Sequence, residues 1–228
     1  MTTSWFMRRT PVYIICSPRP QVGKTLVARL LCEFLIAHRG IVTAYDINLN
    51  EPSLIDFHPR ITETASIEDT FGQMELMDKL IYNDNLAKVI DLGFHAHDAF
   101  FRMCAEIGFV KEAERRGVDP IILFVADIDR TSVRAFEELR AQYPMTAIIA
   151  IENEHTLRGE LPATFRSVRR MRVPALQQFL KSYISRQSFS FTEFLRSPQN
   201  RSSELYDWIR DNYMQFRELE TNLDAHRP

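Results

Sequence analysis

The stretch Val12-Tyr13-Ile14-Ile15-Cys16-Ser17-Pro18-Arg19-Pro20-Gln21-Val22-Gly23-Lys24-Thr25 limits what this 228-residue chain can fold into more than any other. Its apolar, β-branched opening reads as a buried strand and its Pro- and Gly-containing middle as a tight loop. Leu26, Val27, Leu30, Leu31, Phe34 and Leu35 then recur at helical spacing. A helix that begins directly after such a loop points its unpaired N–H groups at whatever the loop encloses, an arrangement that suits a phosphate chain. In loops of the pattern G-x-x-x-x-G-K-[ST], backbone N–H groups wrap the phosphates, the Lys reaches the terminal phosphates and the last hydroxyl holds Mg2+. Gly23, Lys24 and Thr25 fill the last three places, while Pro18 stands where the first Gly would be.

The rest of the chain continues the same alternation. His38-Arg39-Gly40 supplies a basic last turn and a Gly stop, and residues 41–45 read as a second strand, completing a βαβ unit. Residues 51–65, with Pro52 and Pro59 and little periodicity, read as a loop region, and Phe71, Met74, Met77, Leu80 and Ile81 mark a helix. Apolar runs at 88–93, 120–125 and 145–151 are further strands, separated by helical patterns at 99–116 and 131–142. Arg172-Val173 is a short strand candidate before Pro174, and helical patterns follow at 175–185 and 203–223. Strands apolar on both faces, alternating with helices, indicate a parallel sheet covered on both sides. The expected fold is therefore a three-layer α/β P-loop domain with a mostly parallel sheet over residues 1–185. A helical C-terminal extension over 186–228 is expected to pack on it or on a partner.

Composition excludes some function classes. A formal charge of -2 argues against nucleic-acid binding through global charge. Cys16, Cys32 and Cys104 show no C-x-x-C spacing, so neither a disulfide framework nor a zinc site is indicated, and a reducing cytoplasm fits. The apolar run after Arg8-Arg9 is too short for a signal-peptide core, and no stretch approaches the roughly 18 apolar residues that span a bilayer.

A parallel α/β sheet places ligands beyond the carboxyl ends of its strands, which draws attention to Asp46, Asp91 and Asn153. A carboxylate there can hold Mg2+ directly or through its water, and an amide can both donate to and accept from an adenine edge. Taken together, these residues resemble the ParA/MinD group of P-loop ATPases over roughly positions 11 to 176. The group's deviant Walker A motif, K-G-G-x-G-K-[ST], corresponds to Arg19-Pro20-Gln21-Val22-Gly23-Lys24-Thr25. Asp46-Ile47-Asn48 resembles its D-x-D and Val89-Ile90-Asp91 its Walker B segment. Residues 149–154 resemble its strand ending in an adenine-holding Asn, and Val173-Pro174 its late loop near the base. Residues 46–54 and Asn153-Glu154 are similar to the ParA-like proteins of conjugative and mobilisable plasmids.

The resemblance implies ATP and Mg2+ as ligands, held by Arg19, Gln21, Val22, Gly23, Lys24, Thr25 and Leu26, with Asn153 and Pro174 at the base. Lys24 would neutralise the β- and γ-phosphates, Thr25 and Asp46 would hold Mg2+, and Asp91 would sense metal and γ-phosphate. Arg19 would reach the partner's nucleotide in an ATP-dependent homodimer. The function implied is partitioning or positioning of DNA or a macromolecular complex, with an unidentified protein partner and no membrane. Departures from the pattern are informative. Arg19 replaces the signature Lys but keeps the charge. Pro20 and Gln21 replace glycines, and Pro20 removes one N–H donor. Asn48 replaces the acid that orients the attacking water, so Lys24, Asn48 and Asp91 form a catalytic set expected to hydrolyse ATP slowly or not at all.

His95-Ala96-His97-Asp98 reads as a polar, switch-like loop, since no third ligand is spaced for a metal site. Arg158, Arg166, Arg169, Arg170 and Arg172 concentrate positive charge, which fits non-specific DNA contact as well as a solvated face or an acidic partner. Leu205, Trp208, Ile209, Phe216 and Leu219 share one face of a C-terminal helix whose other residues are acidic, which favours packing over membrane attachment. Two further readings stand beside the switch: a pseudo-ATPase adaptor that has lost nucleotide binding, and a small-molecule kinase or ATP-dependent ligase on the related fold.

Overall fold

The computed structural model describes residues 9–48 and 54–225. In chain order the elements are β1 (Thr10–Cys16), α1 (Lys24–Arg39), β2 (Val42–Ile47), α2 (Leu54–Phe57), β3 (Thr62–Thr64), α3 (Thr70–Leu80), β4 (Ala87–Leu92), α4 (His97–Glu106) and α5 (Phe109–Arg115). They continue with β5 (Val118–Val125), α6 (Arg130–Gln142), β6 (Ala147–Asn153), β7 (Arg169–Val173), α7 (Gln178–Ile184), α8 (Phe191–Arg196) and α9 (Glu204–Ala225). The strands form one sheet of order β3-β2-β4-β1-β5-β6-β7, and every pairing is parallel. β1 lies at its centre and is buried at every position, which explains its unbroken apolar run.

Side chains alternate across the sheet into two cores, giving three layers. Tyr13 and Ile15 face the layer that holds α1 and α7 to α9, where Leu30, Leu31, Phe34, Trp208, Ile209 and Phe216 are buried. Val12, Ile14 and Cys16 face the opposite layer, with Leu76, Phe100, Phe109 and Phe136 from α3 to α6. The apolar face of α9 lies on α1, and Leu205 and Leu219 are buried with it. Glu220 turns inward from α9 and accepts hydrogen bonds from the Tyr13 hydroxyl and the Arg39 guanidinium. No helix among the described residues is long and apolar enough to cross a membrane.

Several boundaries differ from the periodicity reading, each for a local reason. The region expected as a loop holds α2 and β3, elements too short to show a period, while residues 51–53, Pro52 among them, lie outside the described residues. The helix expected over 99–116 breaks at Ile107-Gly108, where Gly108 adopts a left-handed φ of 65°. α8 is too short to show a period; it starts after Ser190, whose hydroxyl accepts from the Glu193 N–H as an N-cap. β2 runs on to Ile47, so that Asp46 and Asp91 sit opposite each other inside neighbouring strands.

Candidate nucleotide-binding site

The turn between β1 and α1 opens at the carboxyl end of the sheet, where the strand order reverses around β1. Gly23, the residue before α1, has a φ of 92°, a conformation that favours glycine. A Cβ at this position would lie 2.1 Å from Asn153 Nδ2, so the close approach of β6 to the loop also demands glycine. Gln21 is left-handed as well, at φ 57°, and holds without glycine the kind of turn that the resemblance assigns to one.

Lys24 and Thr25 open the helix. Lys24 Nζ donates to the Arg19 carbonyl at 2.8 Å, curling back over the loop. Burial lowers its pKa, and the nearby Asp91 carboxyl opposes that shift. Thr25 Oγ1 donates to Asp91 Oδ2 at 2.6 Å. Burial pushes the Asp91 carboxyl up to about 7; the Thr25 hydrogen bond and Lys24 pull it down, and Asp46 adds to the rise. The Thr25 hydroxyl and the Asp91 carboxyl are hard oxygen donors of the kind Mg2+ takes.

Around these residues lies a cleft of about 560 Å3, within the range that small-molecule ligands occupy. Pro20, Gln21, Gly23, Lys24, Thr25 and Leu26 form its floor. Asn48, Asp91, Gly93, Phe94 and His95 line one side. Asn153, His155, Thr156, Lys181, Ile184 and Ser185 line the other, with Arg29 and Phe57 also on the wall.

Of the residues expected from sequence, Gln21, Gly23, Lys24, Thr25, Leu26, Asn48, Asp91 and Asn153 come together on this cleft. Four do not line it. The Arg19 side chain is turned toward Asp127 and Asp129, at 3.6 and 3.9 Å. The Val22 carbonyl accepts from Asn153 Nδ2 at 2.8 Å and from Thr156 Oγ1 at 3.2 Å. Asp46 is buried, and its Oδ2 accepts from the N–H groups of Leu54 and Ile55, capping α2. The Pro174 carbonyl accepts from Trp208 Nε1 at 2.7 Å and thereby fastens α9.

Residues 95–98, expected as a loop, are helical, with His97 opening α4, and they divide in the same way. His95 faces the cleft, whereas His97 is buried with its Nδ1 2.8 Å from Asp98 Oδ1 and its ring edge-on to Phe101. Among the described residues no three His, Cys, Asp or Glu side chains converge as a metal set. Of the five clustered arginines, Arg166 faces Glu160, Arg170 faces Glu152 and Arg172 pairs with Glu154, so the neighbouring acids offset much of that charge.

Sequence reasoning missed Arg29, Phe57, His155, Thr156, Lys181, Ile184 and Ser185. Arg29 did leave a signal: a charge within an otherwise apolar stretch of α1, 3 % exposed in the fold. The α7 residues left none, because tertiary packing alone brings them to the cleft.

No protein-family model matches the chain, and no curated protein matches it in sequence. Solved structures do. A ParA family ATPase from Chlorobium tepidum superposes with a TM-score of 0.56 at 13 % identity, over 89 % of this chain and 98 % of that one. A nucleotide-binding protein from Archaeoglobus fulgidus in complex with ADP gives 0.49 at 15 % identity, over 78 % and 88 %. A putative plasmid partition protein from Borrelia burgdorferi bound to AMPPNP gives 0.49 at 11 % identity, over 92 % and 99 %. With its all-parallel sheet and the loop between β1 and α1, the chain has the three-layer α/β P-loop fold that the Chlorobium tepidum ParA family ATPase also has.

Proposed function

We propose that the chain is a ParA-like ATP-binding protein that switches from monomer to homodimer on binding Mg-ATP. It would use that switch to partition or position DNA or a macromolecular complex. The observation that carries this reading is the placement of Lys24 and Thr25 at the start of α1, on a ligand-sized cleft, with Asp91 hydrogen-bonded to Thr25. A triphosphate drawn along the loop would take the place of the Arg19 carbonyl as the partner of Lys24 Nζ. Thr25 and Asp91 would hold Mg2+, whose role is to neutralise charge on the β- and γ-phosphates.

Asn48 on the cleft wall supports slow turnover, since an amide can hold a water but brings no negative charge to polarise it. Arg19 lies outside the cleft lining with its charge facing acids of the segment before α6, which supports a role toward a second subunit. Equilibrium binding of Mg-ATP, with Lys24→Ala as control, tests the reading: binding that the substitution abolishes supports it. Arg19→Ala should then impair ATP-dependent dimerisation, measured by light scattering, more than ATP binding; equal loss of both counts against a trans role.

One observation favours a second reading. Gln21 occupies a left-handed position and Pro20 offers no N–H, so the loop has fewer and stiffer phosphate donors than its resemblance implies. Failure to bind ATP at millimolar concentration would make the chain a nucleotide-free adaptor built on this fold.

A further inference from the structure

Asn153 and Lys181 occupy opposite situations on the same wall of the cleft. Asn153 is 1 % exposed and uses both ends of its amide inside the protein: Nδ2 donates to the Val22 carbonyl, and Oδ1 accepts from the His155 N–H at 3.2 Å. Thr156 adds a second hydrogen bond to the same carbonyl. The Asn153 amide also presses on Gly23, where no Cβ would fit. These contacts grip the phosphate loop and leave Asn153 little capacity to read a base.

Lys181, on α7, is half-buried on the cleft, and among the described residues its ammonium has no hydrogen bond or ion pair. Beside it His155 keeps a buried Nε2 with no partner. Burial, with Lys181 nearby, lowers the His155 pKa and holds the ring neutral. This wall is fixed from below: Arg29 Nη2 donates to the Ile184 carbonyl at 2.9 Å, and the guanidinium lies 3.6 Å from the centre of the Phe57 ring.

We infer that Lys181 contacts the nucleoside half of a bound nucleotide, and that Asn153 is a positioning residue for the phosphate loop. The inference rests on the nucleotide-binding reading given above. An ammonium donates and never accepts, so its target is an acceptor atom, which on a nucleoside is a purine ring nitrogen or a ribose oxygen. A ligand without a nucleoside gains nothing from it.

Two Mg2+-loaded ligands, ATP and inorganic tripolyphosphate, separate the two roles when titrated into the full chain. Lys181→Met keeps the length of the stem and should weaken ATP about tenfold while leaving tripolyphosphate unchanged, and Lys181→Arg should restore most of the loss. Asn153→Ala should weaken both ligands by the same factor, and Thr156→Val should do so to a smaller extent without touching Asn153. Unchanged ATP affinity in Lys181→Met overturns the assignment, as does an Asn153→Ala protein that loses ATP yet keeps tripolyphosphate. Wild-type protein that binds neither ligand overturns the nucleotide reading itself, a result distinct from either of those.

Discussion

The two sides of the cleft are held by different kinds of force. The phosphate side is fixed by backbone geometry: Gly23 in a left-handed turn under Asn153, the Val22 carbonyl gripped twice, and α1 starting at the next residue. The α7 part of the far wall is held by side chains: Ile184 is buried in the core, and Arg29 ties the helix end to α1. Arg29 reaches from α1 to the carbonyl of Ile184 at the end of α7, where a cation also suits the helix dipole, and its guanidinium lies 3.6 Å from the centre of the Phe57 ring and 5.1 Å from that of Phe191. Its neighbour Glu33 extends the arrangement by accepting from Ser190 Oγ and the Thr192 N–H at the start of α8. A cradle built on backbone has one shape, whereas a wall held by a guanidinium has a width set by that contact.

Gly23→Ala gives the largest expected effect. The new Cβ meets the Asn153 amide and adopts an unfavourable φ, so both Mg-ATP and tripolyphosphate should bind at least a hundredfold more weakly. Stability in urea should fall by about 2 kcal/mol. Tripolyphosphate binding that survives the substitution would break the claim that this side has one shape.

Arg29→Ala should act on the other side alone. Loss of the buried hydrogen bond and the aromatic stacking should cost about 2 kcal/mol in urea unfolding. ATP should bind several-fold more weakly while tripolyphosphate binding holds. Arg29→Lys should recover only part of this, because an ammonium lacks the planar face that stacks on Phe57. Equal loss of both ligands would mean that the two sides are not separable.

The same division explains what the sequence disclosed. Residues 17–26 are contiguous, so chain connectivity alone builds the phosphate side, and a Lys-Thr pair after Gly reads directly as chemistry. Asp91 was legible as an acid near the end of a buried strand. Asp46 has the same signature, and its Oδ2 also caps α2 through the N–H groups of Leu54 and Ile55, which follow a segment whose pattern gives no helix. Pro174 reads as a base contact from sequence, and the pairing of its carbonyl with Trp208 of α9, across 34 positions, leaves no local signal. Lys181 belongs to a seven-residue helix too short for periodicity to mark a face. The sheet order was legible only as a class, because β3 has three residues and alternation needs more.

The phosphate side also carries a buried acid. The Asp91 carboxyl titrates at about 7 in the fold, against an ordinary value of 3.8. Between these values folding takes up a proton, so the stability this group contributes declines as pH rises from about 4 to about 7 and stays level above. Asp91→Asn removes that slope. In metal-free urea unfolding, the variant's stability relative to wild type should therefore rise between pH 5 and pH 7 by about 2 kcal/mol. Burial lowers the pKa of His58, His97 and His155, which costs stability on the acid side in both proteins and cancels in the comparison. An identical pH slope in the two proteins would mean that Asp91 is ionised in the fold throughout this range.

Gln21→Gly should have the smallest effect and asks how much strain the phosphate side stores. Gln21 holds φ 57° where the resemblance has glycine, at a cost of about 1 kcal/mol for a side chain in the left-handed region. Glycine removes that strain but enlarges the freedom of the unfolded chain by about 0.5–1 kcal/mol. The two terms nearly cancel, so urea stability should change by less than about 0.5 kcal/mol. Binding should change little too, since Gln21 is exposed and its place in the loop is set by the flanking backbone. A clear gain in stability would mean that the glutamine is kept at a cost, and its amide would then belong among the groups that meet the phosphates. A clear loss would mean that the side chain restricts the loop before any ligand arrives. The phosphate side would then depend on a side chain as well as on its backbone.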